Sequence, residues 1–303
     1  MPGKDHVISQ VVSAAGKTGL TGVQPSVLSD GGNLIVHMAP YPIVARAAIV
    51  HSKNNSDHAY KVLERELRVA RHLQAKGVPA LQPAELPGAG PYGADGIWMT
   101  FWNYVSSSPL KPPSPKEAAE LVNGLSNAMQ DFGGEAPRLG VWERACESAE
   151  RLRESDDARI RALLEEFRRV DHYIRHESGR LIPCHGDAHS GNLLAGRDGW
   201  LWMDFEDVSL MPAYWDLASY VSNLALFGGV EEPAFKYVLE ESGIVHDRGA
   251  FGAAVAARIL MSTIGNLDFA LRGHGDMAFA SRQLEIAGPF LRQLDLVVGR
   301  RMV

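Results

Sequence analysis

The hydrophobic pattern changes character about a third of the way along the chain. Residues 33–38 and 42–50 are apolar, β-branched runs separated by a proline-containing turn, which predicts a β-hairpin. Residues 57–76 place apolar side chains three and four positions apart, which predicts an amphipathic helix, and residues 96–105 predict another strand. The first hundred residues are therefore expected to form short strands and one helix.

Beyond a break rich in serine and proline at 106–115, apolar residues recur at helical spacing. A stretch at 181–208 interrupts this pattern with short predicted strands and turn residues. We expect a β-rich N-terminal lobe at 1–102 and a mostly helical C-terminal lobe at 103–303. The predicted helices of the second lobe are 116–132, 141–153, 156–177, 213–227, 248–272 and 279–299.

Composition narrows the class of protein only slightly. Hydrophobic residues make up 46% of the chain and charged residues 22%, the usual balance of a soluble globular protein. The net charge of -6 disfavours a nucleic-acid partner, which normally requires a basic surface. The two cysteines, Cys146 and Cys184, follow no secretory signal pattern, and no apolar run reaches 18 residues. We therefore expect a cytoplasmic protein with free thiols and no membrane partner.

The candidate chemistry lies in the segment 184–194. Asp187 and Asn192 stand five residues apart in this segment, and Asp204 follows a short predicted hairpin. Phosphoryl transfer requires a positioned hydroxyl and a divalent metal on the phosphates rather than covalent chemistry from the protein. Asp187 can accept a proton from the hydroxyl, and Asn192 and Asp204 can supply hard oxygen ligands to magnesium. The pattern therefore predicts a phosphoryl-transfer site.

The same residues resemble the catalytic loop of the aminoglycoside phosphotransferase and choline kinase superfamily. The resemblance implies an α+β, protein-kinase-like fold with a small β-rich nucleotide-binding lobe and a larger, mostly helical lobe that carries the catalytic loop and substrate site. It implies that Asp187 is the catalytic base and that Asn192 is a catalytic-loop residue and magnesium ligand. It also implies that Asp204 is the main magnesium ligand and that Asp216 supports the loop.

The reaction implied by this resemblance transfers the γ-phosphate of ATP (or GTP) to a hydroxyl of a small molecule, with Mg²⁺. Aminoglycosides lead the possible acceptors, and other amino alcohols, sugars and unrelated antibiotics stay open. Several acidic residues of the second lobe could line a pocket for a cationic acceptor, although solvated charges are the more common role of such residues. These acids are Asp207, Glu231, Glu232, Asp268 and Asp276.

The nucleotide-phosphate contacts are predicted from the first lobe. Arg46 is the one charged residue of its apolar strand and stands where kinases usually have lysine; a guanidinium also suits phosphate. Kinases pair this cation with a helix glutamate, and Glu66 borders the apolar face of the predicted helix, whereas Glu64 reads as solvated. We predict that Arg46 and Glu66 form the phosphate clamp and that the turn at 29–33 lies over the phosphates.

Residues 99–102 are expected to lie where the two lobes join. By the resemblance, this hinge binds the purine through its backbone, which makes Thr100 and Trp102 candidate nucleotide-binding residues. Their side chains fit an ordinary core strand equally well.

Two other functions fit parts of the sequence. His185, Asp187 and His189 alternate in sequence, and His172 and His176 are four residues apart, a spacing found in zinc hydrolases. That alternative leaves Asn192 and Asp204 unexplained. The first lobe has no strand lysine, and its turn at 29–33 is not a full glycine-rich loop, which would suit a protein that binds nucleotide without kinase activity. Such a protein would not need Asp187, Asn192 and Asp204 together.

Overall fold

The computed structural model describes residues 3–49, 56–85 and 88–299. Contacts divide the chain into two compact units. Unit 1 contains Met1–Leu110, Phe132–Glu135 and Gly191–Glu206; unit 2 contains Lys111–Asp131, Ala136–Ser190 and Asp207–Val303. The domain boundary at residue 102 stays a prediction. Two later segments of the chain, Phe132–Glu135 and Gly191–Glu206, also belong to unit 1.

Unit 1 is built on a five-stranded antiparallel sheet with the strand order β1-β2-β3-β5-β4. Alternate side chains of β2 point into the core, as expected for a sheet with one face covered. The predicted hairpin is confirmed, since β2 pairs with β3, and the strand predicted at 96–105 is β5. The strands are β1 Gln24–Asp30, β2 Leu34–Ala39, β3 Ile43–Ala48, β4 Tyr92–Ala94 and β5 Ile97–Asn103.

Two helices accompany this sheet. Helix α2, Ser56–Ala75, confirms the amphipathic helix predicted at 57–76. Helix α1, Lys4–Lys17, is missing from the sequence prediction, although its buried Val7 and Val11 lie four residues apart. Both valines join the core beneath the sheet. Apolar contacts therefore hold α1 in place, although the sequence pattern did not predict this helix.

A small hairpin also belongs to unit 1. Strands β7, Leu193–Ala195, and β8, Trp200–Trp202, pair with each other in antiparallel fashion. The amide of Leu81 donates to the carbonyl of Trp202 at 2.8 Å, and the amide of Trp202 donates to the carbonyl of Pro79 at 3.0 Å. These bonds fix the hairpin to the segment that follows α2.

Unit 2 is mostly helical, and its predicted helices are confirmed with ends shifted by at most three residues. The short helix α7 and the π-helical turn Tyr237–Glu241 that follows it are absent from the sequence prediction. Strands β6, Ile182–Cys184, and β9, Ser209–Met211, form a two-stranded antiparallel sheet. The helices are α3 Pro115–Met129, α4 Gly140–Arg151, α5 Ala158–His176, α6 Trp215–Gly228, α7 Pro233–Lys236, α8 Arg248–Leu271 and α9 Met277–Val298.

Helix α8 is the central helix of unit 2. It packs against α4, α5, α6 and α9, and buried apolar residues lie on most of its circumference. Among the described residues it alone is long and apolar enough to cross a membrane, and 72% of its most apolar window is buried inside the protein. Packing on several sides accounts for this composition.

Candidate active site

The predicted catalytic loop begins where strand β6 ends. The carboxylate of Asp216, in the first turn of α6, accepts hydrogen bonds from the amides of His185 at 2.9 Å and Gly186 at 3.0 Å. Burial raises the pKa of Asp216, and these hydrogen bonds together with the nearby His185 oppose that effect. This is the loop-supporting position expected for Asp216.

Gly186 meets a backbone requirement in the loop. Its φ is +88°, and a Cβ at this position would lie 2.1 Å from the carbonyl oxygen of Asp207. A side chain would therefore combine a left-handed backbone with a collision against main-chain atoms. The local path that presents Asp187 depends on glycine at this position.

The carboxylate of Asp187 has a charged partner on one oxygen. Arg258 of α8 donates from Nη2 to Oδ1 at 2.6 Å, and Nε2 of His189 lies 3.3 Å from Oδ2. Burial alone raises the pKa of Asp187, but the hydrogen bond from His189 and the charge of Arg258 outweigh it and hold this pKa well below its ordinary value. Asp187 is thus a carboxylate throughout the physiological pH range.

Arg258 is itself fixed by the loop that it supports. Its side chain is almost fully buried, Nη1 donates to the carbonyl of Gly186 at 3.1 Å, and its guanidinium lies 5.6 Å from the ring centroid of Trp215. The indole of Trp215 donates to the same Gly186 carbonyl at 2.9 Å. Sequence reasoning missed Arg258, because an arginine in the middle of an apolar helix carries no local sign of its partner.

Asn192 and Asp204 are brought together by the small hairpin of unit 1. Leu193 pairs with Trp202, and the amide of Met203 donates to the carbonyl of Asn192 at 3.0 Å. Asn192 and Asp204 therefore lie at the same end of the hairpin. The side chain of Asp204 is 43% exposed.

Asp204 also adopts an unusual backbone conformation. Its φ is +64°, in the left-handed region that non-glycine residues seldom occupy. Such a conformation costs of the order of 1–3 kcal/mol and is concentrated at functional sites. The following Phe205 is almost fully buried, which anchors the strained turn.

This end of the hairpin fits a hard divalent cation. Asn192 supplies an amide oxygen and Asp204 a carboxylate, the donor types that magnesium prefers. Because Asp204 is partly exposed, its carboxylate can bind a cation that keeps several water ligands. The donor set is thus compatible with the metal predicted from the sequence.

Arg46 faces a cluster of carboxyl groups in unit 1. It forms an ion pair with Glu66 of α2, and its Nη2 lies 2.5 Å from Glu206 Oε2 and 3.7 Å from Asp204 Oδ1. Burial favours a lower pKa for Arg46, but Glu66, Glu206 and Asp204 outweigh that effect and raise it. The predicted partners Arg46 and Glu66 are thus in direct contact. Arg46 remains charged.

Glu66 is the innermost carboxyl group of this cluster, with 1% of its surface exposed. Burial raises its pKa to about 8; Arg46 opposes the rise, whereas Glu206 and Asp204 add to it. Glu64, by contrast, lies 3.6 Å from Arg68 in an exposed pair on α2, as expected for a solvated residue.

Glu206 is a second partner of Arg46 that the sequence analysis missed. It stands two residues after Asp204, and its main-chain carbonyl accepts a hydrogen bond from Arg65 Nη2 at 3.0 Å. Asn33, at the end of the predicted phosphate turn, donates to Glu206 Oε2 at 3.3 Å. Among the residues that the structure describes, the buried Oδ1 of Asn33 has no hydrogen-bond partner. The turn at 29–33 therefore lies beside the Arg46 cluster.

Thr100 and Trp102 lie on β5 and are both buried. Arg46 is the register partner of Thr100 across β3 and β5, and the indole of Trp102 donates to the Thr100 hydroxyl at 2.9 Å. The amides of Phe101 and Asn103 already donate to main-chain carbonyls. A purine contact on this strand stays a prediction.

A family comparison extends beyond the catalytic loop. The model of the phosphotransferase enzyme family, APH, matches residues 44–249. The chain belongs to this family. Family membership supports phosphotransferase activity on a small molecule, and the resemblance seen in the sequence is confirmed. No curated protein matches the sequence.

Solved structures share the fold of this phosphotransferase at low identity. An amicoumacin kinase, solved in complex with AMP-PNP and Ca²⁺, has a TM-score of 0.68 and 13% identity over 97% of this chain and 96% of its own. A choline/ethanolamine kinase family protein from Mesorhizobium loti has a TM-score of 0.62 and 16% identity, covering 95% and 99%. An aminoglycoside phosphotransferase from Alicyclobacillus acidocaldarius has a TM-score of 0.58 and 16% identity, covering 95% and 96%. These likenesses confirm the predicted kinase-like fold.

The histidines considered for zinc have other environments. The rings of His172 and His176 are 4.8 Å apart on α5, and His172 lies 3.5 Å from Glu177. His185 is fully buried, and His189 contacts Asp187. Within the described ranges, no three His, Cys, Asp or Glu side chains converge as a metal-binding group. The arrangement therefore does not favour the zinc-hydrolase alternative.

Proposed function

We propose that this phosphotransferase transfers the γ-phosphate of ATP or GTP to a hydroxyl group of a small molecule. The observation that carries the proposal is the carboxylate of Asp187, held ionised by Arg258 on a loop that Asp216 fixes through two backbone amides. A family membership that covers this loop supports the same reaction class.

Asp187 serves as the proton acceptor in the proposed reaction. Its carboxylate orients the acceptor hydroxyl and takes its proton as the hydroxyl oxygen forms a bond to the γ-phosphorus. The bond from that phosphorus to the bridging oxygen of the β-phosphate breaks, and ADP or GDP leaves. Because the pKa of Asp187 is low, proton transfer occurs late, when the oxygen already carries phosphoryl character.

Asn192 and Asp204 would hold the magnesium ion. When bound, magnesium neutralises charge that develops on the phosphate oxygens. Asp204 contributes the negative charge needed to retain the cation, and Asn192 contributes a neutral oxygen at the same end of the hairpin.

Arg46 would contact the nucleotide phosphates. Its guanidinium is fixed by Glu66 and Glu206, so its orientation is set before a nucleotide binds. The turn that ends at Asn33 lies next to this cluster and is the proposed cover over the phosphates.

The proposed acceptors are those that the sequence suggested: an aminoglycoside, another antibiotic, an amino alcohol or a sugar. The solved relatives include an aminoglycoside phosphotransferase, a choline/ethanolamine kinase family protein and an amicoumacin kinase. Cys146 and Cys184 are free thiols, which suits the proposed location in a reducing cytoplasm.

An acceptor screen coupled to ADP or GDP release tests the function. Aminoglycosides, macrolides, choline-like amines and sugars are compared with ATP and GTP in the presence of Mg²⁺. With the acceptor found, Asp187→Asn should lower kcat by at least 100-fold while the nucleotide Kd changes less than about threefold, since Asp187 acts on the acceptor.

Asp198→Asn is the matched control, because Asp198 is an exposed acid in the turn of the hairpin that follows Asp187 in the sequence. It should retain wild-type turnover. If Asp187→Asn keeps a rate within tenfold of wild type, a difference of about 1.4 kcal/mol, Asp187 is not the catalytic base.

A further inference from the structure

One face of helix α8 leads away from the catalytic loop. Arg258, Met261, Ser262, Gly265 and Phe269 recur every three or four residues and so share this face. Arg258 is buried at Asp187, the next three residues are half-buried, and Phe269 is 47% exposed. Exposure thus increases along the face with distance from the catalytic carboxylate.

Space along this face is open at its middle. A Cβ placed on Gly265 would meet nothing within 4 Å. Glycine inside a helix costs about 0.5–1 kcal/mol relative to alanine, and here no close backbone contact offsets that cost. At 1.5 Å per residue, Gly265 lies about 10 Å along the axis from Arg258, and Phe269 about 16 Å. The face formed by Met261, Ser262, Gly265 and Phe269 is called the α8 groove below.

Uncharged polar groups flank the α8 groove. The hydroxyl of Ser262 lies 3.5 Å from Asn223 Oδ1, which also lies 3.5 Å from the amide nitrogen of Gln283. Asn266 donates to Gln283 Oε1 at 2.8 Å. Asn223 is exposed on α6, whereas Gln283 is fully buried on α9. These four hydrogen-bonded side chains, Asn223, Ser262, Asn266 and Gln283, are all uncharged. The groups that they expose can donate and accept hydrogen bonds.

Aromatic rings lie at the outer end. Phe227 of α6 and Phe279 of α9 stack with centroids 5.6 Å apart, and both are about two-fifths exposed. The guanidinium of Arg272 lies over the ring of Phe269, 6.0 Å from the ring centroid. The outer end is therefore apolar, and the cation beside it, Arg272, is paired with Asp268 at 3.4 Å.

The acidic residues that could have served a cationic acceptor have partners within unit 2. Asp207 pairs with Arg144 at 2.6 Å, and Asp268 pairs with Arg151 at 2.9 Å. Glu231 pairs with a lysine, whereas Glu232 and Asp276 cap the first turns of α7 and α9. Since these carboxylates are already compensated, they favour an ammonium group less than free acids would.

We propose that the α8 groove binds the acceptor, and that this acceptor is an uncharged hydroxylated molecule with an apolar part, such as a glycoside with a hydrophobic aglycone. Its hydroxyls match the polar side chains of Asn223, Ser262 and Asn266, which the buried Gln283 holds in place, and its apolar part matches the rings at the outer end. The near end of the groove is continuous with Arg258 and hence with Asp187. The inference rests on the proposed function and selects among its acceptor classes.

The binding test uses a charge-sorted set of hydroxylated probes: methyl glucoside, hexyl glucoside, choline and kanamycin. Thermal unfolding is followed with each probe at millimolar concentration. Hexyl glucoside should raise the Tm most, because it offers both hydroxyls and an apolar chain. A larger shift with choline or kanamycin, or no shift with either glucoside, overturns the proposal.

Variants of Gly265 locate the site. Gly265→Phe fills the open space and should weaken hexyl glucoside binding at least tenfold. Gly265→Ala adds a methyl group that meets no neighbour, so it should keep binding and raise the Tm of the free protein. Gly124→Phe, at another open helical glycine, is the size-matched control and should leave binding unchanged. Equal affinity of wild type and Gly265→Phe overturns the assignment of the groove.

A separate measurement distinguishes failure of this inference from failure of the proposed function. Mg²⁺-dependent ATP binding, followed by calorimetry, does not involve the α8 groove and should be unchanged in Gly265→Phe. Absence of ATP binding in wild type contradicts the kinase function. Normal ATP binding together with a larger Tm shift from choline or kanamycin than from hexyl glucoside contradicts the groove assignment alone.

Discussion

Arg46 is a single buried cation that faces three carboxyl groups, and each of them has a different exposure. Glu66 is buried, Glu206 is partly buried and Asp204 is the most exposed. Glu66 fixes the guanidinium from the buried side, whereas Asp204 lies at the exposed end of the cluster, where a ligand can reach it. This gradient supports the proposal that Arg46 takes the place of the usual lysine at the nucleotide phosphates.

Arg46→Ala should weaken ATP binding by at least tenfold and leave adenosine binding nearly unaffected, because the guanidinium would contact only the phosphates. Arg46→Lys should recover part of the loss, since the charge returns but the bidentate geometry does not. Affinities are measured by calorimetry with both ligands. Arg68→Ala, which removes the exposed cation beside Glu64, is the control and should bind ATP normally.

The two carboxylate partners should couple to Arg46 in double-mutant cycles. Glu66→Ala and Glu206→Gln should each weaken ATP binding, and each should have a smaller effect when Arg46 is already alanine. Strict additivity in both cycles, or equal losses for ATP and adenosine, would remove Arg46 from the phosphate site.

Glu66 predicts a pH dependence of stability whose sign follows from its raised pKa. An unfolded glutamate has a pKa near 4.3, whereas burial raises that of Glu66 to about 8. The folded protein therefore binds more protons in this window, so the contribution to stability is fully present below about pH 4.3 and is lost as pH rises to about 8. Glu66→Gln should become more stable relative to wild type from pH 5.5 to pH 8.

Urea unfolding at several pH values measures this difference in the free energy of unfolding. Glu64→Gln is the control, since its exposed carboxylate lies on the same helix. A Glu66→Gln difference that stays constant from pH 5.5 to pH 8 is incompatible with a raised pKa of Glu66.

At the scale of elements, the catalytic loop is held by two helices. Helix α6 supplies Asp216 and Trp215, and helix α8 supplies Arg258. The carbonyl of Gly186 accepts hydrogen bonds from both Trp215 and Arg258. The part of the loop around Gly186 therefore keeps its shape because side chains of both helices bind its backbone groups.

Gly186→Ala should disrupt this arrangement. The added Cβ would overlap the carbonyl of Asp207, and the positive φ would become strained, so we expect a loss of about 2 kcal/mol or more in stability. Turnover should fall by more than 100-fold because the loop that holds Asp187 shifts. Urea unfolding and ADP release measure the two effects.

Gly124→Ala is the control for this loop variant, because a Cβ at Gly124 meets nothing within 4 Å. It should be as stable as wild type or slightly more stable. Wild-type stability of Gly186→Ala would show that the loop can move away from Asp207 without cost.

At the scale of the whole molecule, ligand binding should appear as a change in unfolding temperature. A ligand at 100 times its Kd stabilises the folded state by about 2.7 kcal/mol, which for a protein of this size corresponds to a shift of several degrees. Mg²⁺ with ATP should raise the Tm, whereas adenosine with Mg²⁺ should have a much smaller effect. Asp204→Ala should lose the magnesium-dependent part of the ATP effect.

Asp198→Asn again serves as the control, since it removes an exposed acid from the same hairpin. An Asp204→Ala protein whose ATP-induced shift still depends on magnesium would assign the metal to other ligands.

The sequence by itself determined what is encoded locally. Apolar spacing located the long helices of unit 2, because a helix that packs on a core must repeat its buried side chains every three to four residues. Asp187, Asn192 and Asp204 could be predicted together as site residues because they stand within 18 positions of one another, on one loop and one hairpin. The family resemblance depends on this same short segment.

The tertiary structure alone decided which distant residues complete the site. Arg258 lies 71 positions from Asp187, and Glu206 lies 160 positions from Arg46. Periodicity indicates which side of a helix is buried but not which element covers it, so an arginine within α8 gave no sign of its partner. The open space beside Gly265 was equally hidden, because a glycine in a sequence does not reveal whether a neighbour or a vacant groove faces it.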